Sequence, residues 1–187
     1  MTILTLSRRN ILRGVPVLAG AAVLGACTVT TSGSTTTITL NVAKVEAYAQ
    51  AGLNAAATVT SLIGSTAVLA PYATQIAAAE AALSAALQAF STAAGSSITI
   101  EYDSSTWTTR VDSILSAIET LATVVANAIA AMGSAVSTAV QSNAQTVLSA
   151  LKTVVSVFTA LLGTTSVAAT PSSMSEAQAL RTLGVAR

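Results

Sequence analysis

The chain reads as all-α, an antiparallel four-helix bundle rich in alanine with a small two-stranded β element, on three observations. Apolar residues make up 52% of its 187 residues but aromatics only 3%, and alanine, the strongest helix former, is the largest single part of the apolar content. Apolar positions recur at alternating steps of three and four through four long stretches, the spacing that lines one face of a helix. Pro71, Gly95 and Gly163 punctuate those stretches. Alanine buries little area per residue and lets backbones approach, so the core should be thin, closely packed and sensitive to added bulk.

Thr28 to Leu40 is uncharged and rich in threonine and serine. It reads as a tether reaching at most roughly 40 Å, at about 3.3 Å per residue, and its end, Thr36 to Leu40, alternates like one short strand. Asn41 can cap a first helix whose face is Val42, Val45, Ala49, Gly52, Ala56, Val59 and Ile63, and whose end Pro71 limits. Tyr72, Ile76, Ala79, Leu83, Ala86 and Phe90 keep the spacing through a second helix, which Gly95 stops. A short connection between two such helices makes an antiparallel hairpin. Ser97 to Tyr102 reads as a second short strand, its I-T-I centre matching the I-T-L of Thr36 to Leu40.

The third helix has the clearest pattern, Ile114, Ile118, Leu121, Val125, Ala128, Met132, Ala135 and Ala139, widened by Leu115, Ala122, Ile129 and Val136 into a face broad enough for two neighbours. The pattern falters at Gln141-Ser142-Asn143, where Ser142 or Asn143 can cap a fourth helix running through Val147, Leu151, Val154, Phe158 and Leu161 to Gly163. After a linker from Thr164, Ser173-Met174-Ser175-Glu176 fits the S-x-x-E capping box of a short helix ended by Gly184. That helix docks through Leu180 and Leu183 or frays, because nucleation is costly at such length.

The first residues carry an address. Arg8 and Arg9 form a positive region, Ile11 to Ala26 a short apolar one, and Leu24, Gly25 and Ala26 place small residues before Cys27, the order of a cleavable export signal. The apolar run holds Pro16 and is shorter than the roughly 20 residues a spanning helix needs. Ser7-Arg8-Arg9-Asn10-Ile11-Leu12-Arg13 resembles the twin-arginine translocation motif S-R-R-x-F-L-K, with Ile11 in place of Phe and Arg13 in place of Lys. Leu24-Gly25-Ala26-Cys27 resembles the lipobox of bacterial lipoproteins at every position. The resemblance implies cleavage before Cys27, acylation of its sulfur and amino terminus, and a mature protein held on a membrane by lipid. The domain organisation is then a signal peptide over 1–26, the lipidated cysteine and tether over 27–40, the helical bundle over 41–163, and a linker with a short helix over 164–187.

Composition narrows the chemistry. There is no histidine, and Cys27 is the single cysteine, so an internal disulfide, a Ser-His-Asp triad and histidine or thiolate metal sites are all excluded. Without Arg8, Arg9 and Arg13, five basic residues face seven acidic ones, which gives no basic surface for nucleic acid. Glu101, Asp103, Asp112 and Glu119 are the only acidic group close enough in sequence to attempt two-carboxylate chemistry, and they read instead as solvated acids near a helix amino terminus. Tyr102, Trp107 and Arg110 are the residue types that concentrate interface energy and form a candidate partner patch; the competing reading makes them the packing at one end of the bundle.

The expectation is an exported, lipid-anchored envelope protein on the periplasmic or outer face of a bacterial membrane, with a structural or protein-interaction role, no catalysis and no cofactor. Its partners would be the membrane, through the anchor, and an envelope or virion protein or a second copy. The alternative is a membrane-inserting helical hairpin, pore-forming or lysis-related and in one version phage-derived. It rests on Thr120 to Gln141, which carries no charge and places Ala131, Ala135 and Ala139 at small-xxx-small spacing.

Overall fold

The computed structural model describes residues 27–32, 35–64, 66–102, 105–162 and 174–185. The signal segment 1–26, with Arg8, Arg9, Leu24, Gly25 and Ala26, lies outside them. The described residues are mostly helical, with five α-helices and a small antiparallel sheet. In chain order the elements are β1 (Cys27–Ser32), β2 (Thr35–Asn41), α1 (Val42–Ile63), α2 (Ala70–Ala94), β3 (Thr99–Glu101), α3 (Ser105–Met132), α4 (Thr138–Leu161) and α5 (Glu176–Thr182).

The sheet corrects the expected tether. Cys27 to Ser32 is a strand paired antiparallel to β2, with Cys27 opposite Leu40 and Ser32 opposite Thr35, so only two residues separate the strands. Threonine, valine and isoleucine are β-branched and favour extended backbone, and a Gly-Ser pair between two such runs is a hairpin signal. On its other edge β2 pairs with β3, Leu40 opposite Ile100 and Asn41 opposite Thr99. The two similar segments Thr36 to Leu40 and Ser97 to Tyr102 are therefore neighbours in one sheet, which has three strands rather than two. Leu40 and Ile100 are buried in the same core as the helices.

The α1 face is buried as its spacing predicts, at Val42, Val45, Ala49, Gly52, Ala56, Val59 and Ile63. Asn41 caps it, its side-chain oxygen accepting from the Lys44 amide at 3.2 Å. Gly64, at φ +57°, ends α1 before Pro71, which instead stands in the first turn of α2 where its missing N–H costs nothing. Along α2 the buried positions are Ile76, Ala79, Leu83, Phe90 and Ala94. Each long helix packs on its neighbours, α1 on α2 and α4, α3 on α2 and α4, and α1 also meets α3 across the core. That last contact is close at Gly52, where an added Cβ would lie 3.6 Å from Ile118 and from Leu121 of α3.

Two boundaries differ from expectation. The third helix stops at Met132, not beyond Ala139: Gly133 takes φ +42°, one 3₁₀ turn follows, and Ser137 caps α4 by accepting from the Val140 amide. Ala135 and Ala139 are consequently exposed rather than part of the α3 face. The capping box of α5 lies two residues later than Ser173 and Glu176, at Ser175 and Gln178. Glu176 is turned inward instead, where it pairs with Lys44 and accepts from the Tyr48 hydroxyl at 3.0 Å. α5 packs on α4 and α1, with Ala179 and Leu183 buried, Leu180 partly buried, and the Leu183 carbonyl accepting from Asn54 at 2.7 Å.

Candidate functional site

The amino-terminal candidate residue within the described part is Cys27. It opens β1, and its backbone pairs with Leu40, which is 1% exposed and directly precedes the α1 cap.

The three candidate patch residues lie at the same end of the molecule, Tyr102 held against α3, and Trp107 and Arg110 held from α3 against α2. Tyr102, just after β3, is 8% exposed, and its hydroxyl donates to Asp112 Oδ1 of α3 at 2.6 Å. Burial first, then that hydrogen bond and the carboxylate's charge, push its phenol well above its ordinary 10.0. The Tyr102 carbonyl accepts from the Thr108 hydroxyl, so the strand end and the first turns of α3 are tied together twice. Trp107 is half-buried and meets Phe90 of α2 edge-on, ring centroids 5.7 Å apart. Arg110 lies along α2, donating to the Ala89 carbonyl at 2.9 Å, while its Nε is buried and makes no hydrogen bond among the described residues. Tyr102 and Trp107 thus contribute mainly to packing, and Arg110 is the member that borders the surface, between two shallow hollows over α2 and α3.

Compared with models of known families, with curated proteins and with solved structures, the chain matches none of them.

A groove of about 710 Å³ lies between α1, α2 and α5. Ala47, Leu87 and Leu180 form apolar lining, and Gln50 and Arg181 stand along it; Glu46 at its edge accepts from Ser91 at 2.7 Å. Nothing in the spacing of the sequence pointed to this groove, because it depends on Lys44 and Glu176 meeting across 132 residues. Of the four acids, Asp103 lies outside the described residues, and Asp112 and Glu119 stand inside α3, beyond its first turn, where Asp112 accepts from the Tyr102 hydroxyl.

Proposed function

We propose that the chain is an exported bacterial envelope protein, anchored by lipid on Cys27 to the periplasmic or outer face of a membrane, with a structural or protein-interaction role and no catalysis. The observation that carries this reading is the lipobox-like Leu24-Gly25-Ala26-Cys27, which puts cleavage immediately before Cys27 and so keeps every described strand and helix in the mature chain. Export by the twin-arginine route through Arg8 and Arg9 suits a helical domain dominated by local contacts, which folds fast enough to be carried folded.

The finer architecture belongs to the same proposal: α1 to α4 form an antiparallel four-helix bundle, α5 docks along α1 and α4, and the sheet covers one end. Short connections between successive helices and the contacts of α1 and α3 with both α2 and α4 support it. The presented surface would meet an envelope or virion protein or a second copy.

A second reading is favoured by one observation. Thr106–Ala135 and Thr138–Leu161 are long and apolar enough to cross a membrane by length and composition, with mean hydropathies of 1.7 and 1.4, as is Ala67–Ala94. On that reading the α3–α4 hairpin inserts. In the fold, however, Ile114, Ile118, Leu121, Val125 and Met132 are spent on the core, and the outward positions carry Thr, Ser, Asn and Gln. Alkali extraction of a Cys27→Ser variant separates the two: release into the soluble fraction supports the anchored domain, and retention in the membrane supports insertion.

A further inference from the structure

We propose that the sheet end of the fold rests directly on the bilayer with Ile98 immersed in a net-neutral lipid surface, instead of standing away from it on a flexible spacer. This arrangement rests on lipidation of Cys27 as proposed above. Residues 27–40, the only chain that could act as a spacer, are used up in β1 and β2 apart from the two residues joining them. Cys27 is locked by register to Leu40, a core residue, so acyl chains on Cys27 leave the bilayer within one strand spacing of the buried end of the fold.

Two large apolar side chains are strongly exposed among the described residues, and they lie at opposite ends. Ile98 is 76% exposed; its carbonyl accepts from the Val42 amide at 3.0 Å, and it precedes by two residues Ile100, which pairs with Leu40. Two strand spacings and two residues put its Cα about 12 Å from that of Cys27. Val68, 72% exposed, follows the far end of α1, whose 22 residues extend for about 33 Å. An anchor at Cys27 therefore brings Ile98 to the lipid and holds Val68 away from it. Lys44 and Arg110 stand toward the anchored end with Glu46, Glu101, Asp112 and Glu176, and Lys44 is already paired with Glu176, so the described acids there outnumber the bases and headgroups of no net charge fit it better than anionic ones.

The test uses the full chain, purified from its membrane in lipidated form and placed in phosphatidylcholine vesicles, with Ile98→Cys or Val68→Cys as the sole labelling site. Cys27 is the only native cysteine and its sulfur is consumed by lipid, so a nitroxide attaches only at the introduced position. Accessibility to oxygen relative to a water-soluble nickel complex should be at least several-fold higher at 98 than at 68. Equal ratios at the two positions in protein whose mass shows the lipid would overturn the bilayer contact and leave the anchor standing. A mass without lipid would overturn both.

Discussion

Gly52 of α1 faces Leu83 of α2 so closely that a Cβ built on Gly52 would lie 2.7 Å from Leu83 Cδ2, with Ile118 and Leu121 of α3 each 3.6 Å away. Leu83, Ile118 and Leu121 are fully buried, so the Leu83 side chain would have to shift within the core to admit a methyl there. One hydrogen atom in place of a methyl lets α1 approach two other helices at once.

Gly52→Ala should therefore destabilise the fold despite relieving glycine's backbone entropy. The gain in helix propensity is about 1 kcal/mol, and overpacking costs about 1–3 kcal/mol, so a net loss of about 1 kcal/mol is expected. Adding Leu83→Ala should make the pair non-additive, because the cavity it leaves accepts the new methyl. Denaturant unfolding of the two single variants and the double variant measures this directly.

α5 should come away before the rest of the fold when Glu176 is replaced. Its carboxylate, 11% exposed, pairs with Lys44 and accepts from Tyr48, whose ring is buried against Phe158. Glu176→Ala removes both partners at once, at a cost of about 1–3 kcal/mol. A seven-residue helix cannot persist alone, so amide exchange in α5 should accelerate while α1 and α3 stay protected.

Alkaline pH should weaken the fold through Tyr102. Its folded phenol is raised above its ordinary 10.0, so the neutral form is the one the fold favours. The contribution is fully present below pH 10 and is lost as pH climbs from there toward the folded value. Stability measured from pH 9 to 12 should fall, and Tyr102→Phe should flatten that fall while giving up the hydrogen bond to Asp112 at all pH values.

Trp107→Ala should cost about 2 kcal/mol, because it removes a half-buried ring and its edge contact with Phe90. Arg110→Ala should cost well under half of that and, if the surface over α2 and α3 binds a partner, should weaken capture more than stability. Thermal unfolding alongside crosslinking from position 110 distinguishes the two effects.

The helix faces were legible because burial in this chain follows the three-four spacing with few exceptions: the face proposed for α1 is buried at each of its seven positions. Helix ends were less so. Ala135 and Ala139 kept the period of α3, yet Gly133 at φ +42° turned the chain first, since periodicity reports which face is apolar and not where the backbone leaves it. Ser173 matched a capping box as well as Ser175, and the choice was made by Lys44 and Tyr48, far away in sequence, claiming Glu176. The hydroxyl-rich run from Thr28 reads as a solvated tether up to the short strand at Thr36 to Leu40, because composition alone does not reveal that this strand has two edges to fill. Of the candidate site, the lipobox-like residues are local and visible; the packing of Trp107 and Tyr102 required the helices they meet.

The central claim is that Cys27 carries lipid. Metabolic labelling with a radioactive or clickable fatty acid, with and without Cys27, tests it most directly. The account predicts label on the mature wild-type chain and none on Cys27→Ser. An unlabelled wild-type chain exported in normal amount, or equal labelling of Cys27→Ser, would contradict it.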